Sequence, residues 1–442
     1  MQLVERRPAL TLFAGNVIAQ SIGVALAPLL SRLYSPDDFG VLGALNALVM
    51  VSLPLVSLRY ELGIPRAASE RESLALLGVC GVAIAGMSAL LGLGCWGFGA
   101  SSFAKQSALG GVIYFVPIVA FASAAFDVLA MEASRRGAHG LLARSKLSQS
   151  ALGVGSQLVL GTLHFGALGL VVGFLVNQAA GITRLFRQLV LRHPAIAQLT
   201  GSDLRAAAHQ HRAYPLYTSW SSALDSASRW SLQLAISVFW DPTVGGFIFL
   251  AERVIGRPLL LVSTSLLPVF VGDFGRALHG APQQLRAIFF GTLWRQTLIS
   301  LVWTLCVVVL APLTFGPLFG ARWQPSVVYV QVMSLAIAPS AAIFPVGYTL
   351  QLLGRQRMES LMVASKILLV TVALAGCYWL QTSALIALAV FAALQFLHAL
   401  VRVALYAHAV TKLSSSAPAR AGERREVAGA ELRPSTVSAL EK

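Results

Sequence analysis

Apolar runs of about twenty residues recur along the whole chain, and they leave it few folds. A helix needs roughly 20 apolar residues to cross about 30 Å of hydrocarbon. Only helices and closed barrels satisfy every backbone group there. Twelve runs qualify, at residues 10–32, 39–59, 74–96, 109–131, 147–163, 168–189, 214–238, 244–269, 288–310, 327–353, 361–380 and 384–406. The fifth is diluted by Ser148, Ser150 and Gln157, and the seventh is the most polar. Only 12% of residues are charged, half the level of about 25% usual in soluble domains. The expectation is an all-α integral membrane protein of about twelve transmembrane helices.

Loop charge orients the spans, because Lys and Arg gather on the cytoplasmic side of short loops. With the N-terminus inside, the inner loops and span ends hold Arg6, Arg7, Arg66, Arg71, Arg135, Arg136, Arg144, Lys146, Arg184, Arg187, Arg192, Arg205, Arg212, Arg276, Arg286, Arg355 and Arg357. The outer side holds Lys105, Arg322 and, at a helix end, Arg32. Seventeen against three places both termini in the cytoplasm. The net charge of +15 therefore reads as an orientation signal beside membrane lipid. No basic stripe with interleaved aromatics appears, so nucleic acid is not an expected partner.

The longest inner loop divides the chain into a six-helix lobe at 1–190, an inter-lobe loop at 191–213 and a second six-helix lobe at 214–411. After it, 412–442 loses the apolar pattern and reads as a disordered cytoplasmic tail. An even number of helices per half makes any repeat parallel, with a pseudo-two-fold axis along the membrane normal. A weak echo supports it: "SPDDFGVLGAL" follows the first run and "WDPTVGGFIFL" the seventh, with Gly40 and Gly245 in matching places.

An ionised side chain at mid-membrane costs about 2.5–3.5 kcal/mol on insertion scales, so each such residue needs a partner or a wet cavity. Asp225 and Arg229 are spaced i, i+4 and can pair. The next span carries Glu252, Arg253 and Arg257. Asn16 and Gln20 lie one turn apart in the first span, which ends at Arg32, and the second ends on Arg59, Tyr60 and Glu61. The candidate cavity residues are Arg229, Arg253, Asp225, Glu252, Arg32, Arg59, Asn16, Gln20 and Arg295. For Arg59, Arg295 and Lys366 the plain alternative is snorkelling to the headgroups. Asp127 and Glu132 are expected to pair structurally with Arg135 or Arg136.

Arginine outnumbers lysine by 28 to 5, but it is raised everywhere, so position carries the argument. Arginine in a cavity suits phosphate or carboxylate, which it binds bidentately. No catalytic signal survives inspection. Cys80, Cys95, Cys306 and Cys377 are scattered singly, without metal-ligand spacing. "GLGCWG" has dinucleotide-site spacing but ends an apolar helix instead of opening one. No metal, cofactor or catalytic residue is expected.

"LLSRLYSPDDFGVLGAL", followed by "RYELGIP" at 59–65, resembles polysaccharide biosynthesis proteins of the O-antigen flippase type. These belong to the multidrug/oligosaccharidyl-lipid/polysaccharide exporter superfamily. Their Leu/Thr-Arg-Leu-Tyr-x-Pro-x-x-Phe-Gly element is present at 31–40, their Arg-Tyr-Glu element at 59–61, and "LLPVF" at 266–270. Where members commonly read Glu-x-Ala-Ile-x-Leu-Pro, this chain reads Glu61-Leu-Gly-Ile-Pro, one residue shorter before the proline. The resemblance implies a MATE-like pair of six-helix lobes around a central, often cationic cavity.

It also implies the flipping of undecaprenyl-diphosphate-linked oligosaccharide across the bacterial inner membrane by alternating access. The cargo would be an O-antigen, capsule or exopolysaccharide repeat unit. A polysaccharide polymerase and a chain-length regulator are the partners it implies. A cation-coupled multidrug exporter is the first alternative, but such a transporter usually wants an acidic residue inside the first lobe, and 10–33 has none. A polymerase or ligase is the second, but every outer loop is short. The chain is therefore expected not to be an enzyme.

Overall fold

The structure is a computed structural model that describes residues 6–101, 109–191, 193 and 199–431, with side chains from Gly15 to Ser414 except Asn16 and His279. Lys105, Arg192 and the side chains of Arg6, Arg7 and Asn16 thus lie outside the described residues. All regular structure described is helical. The first half holds α1 (Arg6–Ala25), α2 (Ala27–Leu33), α3 (Pro36–Val56), α4 (Glu70–Gly99), α5 (Val116–Arg135), α6 (His139–Thr162) and α7 (Gly166–Ala179). A linker helix, α8 (Gly201–Gln210), follows. The rest holds α9 (Ser219–Ala235), α10 (Pro242–Ala251), α11 (Arg257–Gly280), α12 (Leu285–Phe319), α13 (Ser326–Ile343), α14 (Gln356–Trp379) and α15 (Ala384–Glu431).

Among the described residues, nine helical runs are long and apolar enough to cross a membrane. The three other expected spans are helical too: Val17–Leu33, α6 and α9. Polar residues lower the hydropathy of α6 and α9, whereas Val17–Leu33 is apolar but shorter. α15 runs past residue 406 as far as Glu431, through the stretch expected as a disordered tail.

The chain packs as two compact units. One comprises Met1–Pro258, Thr304–Ile337 and Val363–Leu394; the other Leu259–Trp303, Ala338–Met362 and Gln395–Lys442. In the larger unit the opening helices of the second half, α9 and α10, pack on α3 of the first. The reason lies in the two echoing segments. Ser35 caps α3 in a box with Asp38, whose N–H donates to Ser35 Oγ at 3.2 Å while Ser35 N–H donates to Asp38 Oδ2 at 2.8 Å. Asp241 caps α10, accepting from Thr243 N–H at 2.8 Å. Each helix has proline at its first position, Pro36 and Pro242.

Four residues beyond each proline comes the glycine that lets the helices touch. A Cβ on Gly40 would sit 1.8 Å from the Pro242 carbonyl oxygen, and one on Gly246 would sit 1.9 Å from that of Pro36. The Thr243 hydroxyl donates to Asp37 across the same junction. The repeat is therefore anchored by the prolines, and Gly40 answers to Gly246. Gly245, the expected match, packs instead against Ser237 of its own hairpin.

The linker between the halves is tied to the start of α4 by three consecutive residues. Glu70 Oε2 lies 3.4 Å from His193 Nε2, Arg71 donates to Asp203 Oδ2 at 2.8 Å, and Glu72 meets His211 Nε2 at 3.2 Å. The Arg71 hydrogen bond and the Thr200 cap pull the Asp203 carboxyl down to about 2. An acid depressed on folding adds stability above its ordinary range near 4 and loses it as pH falls through the folded value. Amide exchange protection of α8 should thus fall between about pH 4 and pH 2. Asp203→Asn should show reduced protection already at neutral pH, and protection equal to wild type would remove this anchor from the argument.

Candidate functional site

The motif around residues 31–40 serves the fold. Ser31 Oγ donates to the Phe319 carbonyl at 3.1 Å, and Trp323 Nε1 donates to the Ser31 carbonyl at 2.8 Å. Arg32, exposed, donates from Nη2 to the Pro317 carbonyl at 2.9 Å, satisfying a carbonyl near the C-terminus of α12. Tyr34 is buried and donates to the Gln157 carbonyl at 2.6 Å. Phe39 packs edge-on against Phe249 and Trp323.

The second motif makes a strained corner. Leu58 and Arg59 both have left-handed backbone, φ 49° and 57°, before a tight turn of helix, Tyr60–Arg66. Left-handed conformation costs a non-glycine residue about 1–2 kcal/mol. A local ion pair offsets it: Arg59 Nη1 lies 3.3 Å from Glu61 Oε1, which also accepts from Ser57 Oγ at 3.2 Å. Glu61 is 3% exposed.

Asp225 and Arg229 form the expected i, i+4 pair on α9. Trp220 and Leu224 are exposed five residues before them, about 140° away around the helix. The pair therefore occupies a different face from the apolar stripe. Arg253 is half-buried, and its Nε donates to the Gly23 carbonyl of α1 at 3.1 Å. That bond brings the second half's arginine to the helix that carries Gln20, one turn before Gly23. Glu252 is close enough to Arg257 to interact electrostatically, as is Arg253. Among the described residues no carboxylate lies within ion-pair distance of Arg253 or Arg257. Arg295 is exposed on α12 in the smaller unit.

Arg257 was absent from the candidates, although its spacing from Arg253 puts both on one face. Pro258 explains the local backbone. It has no N–H and its ring crowds the carbonyl four residues back, so the helix widens into a π turn over Glu252–Gly256. Such bulges often mark functional positions.

The expected pairing of Asp127 is corrected. Glu132, wholly buried, takes both arginines, with Arg135 Nε at 2.9 Å and Arg136 Nε closer still, and accepts from Ser73 Oγ at 2.6 Å. Asp127 lies five residues earlier, about 140° round the helix, and points elsewhere. It is exposed, within electrostatic reach of Glu61, Arg59 and Lys146. The described residues include no cluster of three metal-ligating side chains.

These features define a multi-pass, all-helical membrane protein with two arginines and one glutamate inside one of its spans. A family model described as "Polysaccharide biosynthesis protein" matches residues 29–328, and the chain belongs to that family. Solved structures extend the likeness in fold to nearly the whole chain. One is a multidrug resistance MATE family transporter of the MOP superfamily in an inward-facing conformation, with 14% identity, TM-score 0.61, and 91% of this chain and 96% of that one covered. Another is the lipid II flippase MurJ, inward closed, with 10% identity, TM-score 0.67, and 92% and 87% covered. No curated protein matches the sequence.

Proposed function

We propose that the protein is a flippase for lipid-linked oligosaccharide, with Arg253 and Arg257 holding the anionic diphosphate. The observation that carries this is the pair itself: two guanidiniums one turn apart at a π bulge in an apolar helix, with no carboxylate in ion-pair range. Charges so placed face an interior path and want an anion, and guanidinium forks match phosphate oxygens. Membership of a polysaccharide biosynthesis family supports a glycan on the same lipid. A diphosphate and a sugar chain cannot cross hydrocarbon unaided, since each desolvated polar group costs several kcal/mol.

In this reading the protein is a transporter and not an enzyme. It lies in a bacterial inner membrane with both termini in the cytoplasm, and its cargo is an O-antigen, capsule or exopolysaccharide repeat unit. Arg229 and Asp225 stand beside the path, and alternating access moves the headgroup. In a strain lacking its own copy, wild-type protein should restore surface polysaccharide. Arg253→Ala/Arg257→Ala should restore less than about a tenth of it at equal membrane abundance. Full restoration by the double variant would remove both arginines from the mechanism. Expulsion of lipophilic cations by the wild type, without polysaccharide, would favour a drug exporter.

A further inference from the structure

We infer that the first half carries a second, electroneutral pocket, built on α5, α6 and α7, that binds the sugar portion of the cargo. Six polar residues close a ring there. The Gln178 side chain donates from Nε2 to Ser123 Oγ at 2.5 Å. Asp127 lies one turn after Ser123 on the same face of α5. Lys146 of α6 is within electrostatic reach of Asp127 and one turn before Gln149. Gln149 Nε2 donates back to the Gln178 carbonyl at 3.3 Å, and Asn177 Nδ2 donates to the Gln149 carbonyl at 3.0 Å. Glycine lets α6 and α7 approach so closely: a Cβ on Gly153 would lie 2.5 Å from that of Asn177.

Three facts make this ring a site instead of interhelical glue. Asp127 is exposed in the middle of a mostly buried apolar helix. A carboxylate there either stands in lipid, at about 2.5–3.5 kcal/mol or more, or lines a watery pocket, and its polar neighbours decide for the pocket. Each of the three amides donates one N–H to protein, which leaves a second N–H and the side-chain oxygen to meet a ligand. Beside the ring, Glu61 Oε2 and Arg59 Nε are buried without a hydrogen-bond partner.

Charge selects the ligand. Asp127 and Glu61 balance Lys146 and Arg59, so the pocket offers both donors and acceptors at no net charge. That suits hydroxyls, which do both, and suits neither a free anion nor a cation. Glu252, Arg253 and Arg257 sum to one positive charge and suit phosphate. The two sites thus divide one amphiphile between them. This rests on the flippase reading.

The test uses purified full-length protein in nanodiscs and two probes: undecaprenyl diphosphate, and the same lipid carrying an N-acetylhexosamine disaccharide. Wild type should bind the glycosylated probe about tenfold more tightly. Asp127→Asn and Gln178→Leu, each checked for monodispersity, should erase that preference and leave affinity for the bare lipid unchanged. Equal binding of the two probes by wild type, or a preference that survives both substitutions, overturns the pocket while the diphosphate site stands. Sodium binding that depends on Asp127, with no sugar preference, overturns it in favour of a cation site. Failure of wild type to bind either probe sinks the flippase reading and this inference with it.

Discussion

Gly40→Ala protein should be less stable than wild type by about 3 kcal/mol and should not hold the junction between the two halves. One methyl group is added, but it lands 1.8 Å from the Pro242 carbonyl oxygen, and backbone cannot swing aside as a side chain can. The helix pair must part, which also breaks the Thr243–Asp37 hydrogen bond. Cysteines placed at Asp37 and Thr243 should cross-link readily in otherwise wild-type protein and poorly beside Gly40→Ala. Gly246→Ala, its proline-anchored counterpart, should behave the same way. Gly272→Ala, where an added Cβ meets open space, is the control. Equal cross-linking and an unchanged melting temperature in Gly40→Ala would mean the junction tolerates a gap.

Arg402→Leu should cost about 3–5 kcal/mol, because it strands a carboxylate inside the smaller unit. Arg402 Nη2 lies 2.6 Å from Glu359 Oε1, and its Nε donates to Tyr406 Oη at 2.9 Å. The Tyr406 hydroxyl in turn donates to Glu359 Oε2 at 2.8 Å, so the three side chains satisfy one another. Glu359 is 9% exposed and Tyr406 wholly buried. Removing the guanidinium leaves the acid uncompensated, and the melting temperature should drop by on the order of 5–10 °C. Arg402→Leu/Glu359→Leu should recover at least half of that loss, since an apolar pair carries no buried charge. A double variant as unstable as the single one would assign the loss to packing instead of charge.

Much of the fold was legible because its causes are local. Hydropathy over twenty residues marks a span wherever it occurs, and Ser35-Pro36 and Asp241-Pro242 announce helix starts through their own chemistry. The register of the repeat was also within reach, since counting from the prolines pairs Gly40 with Gly246. Matching glycine to the nearest glycine chose Gly245 and missed by one. Arg257 carried a readable signal as well, four residues after Arg253 and next to a proline.

The partners of charges were not legible. Arg32 looks from its position like a cavity rim and is spent on the Pro317 carbonyl, 285 residues away. Asp127 and Glu132 look equivalent, five residues apart on one helix, yet one is buried between two arginines and the other is left exposed.

Sequence alone thus determined that the chain is a bundle of membrane helices, roughly where those helices lie, and that some would carry charge. Helix formation in an apolar medium depends on residues within a few turns of one another. Tertiary structure decided which charges are neutralised and which remain for a ligand, since the Coulomb and desolvation energies of a guanidinium depend on atoms brought close from distant parts of the chain.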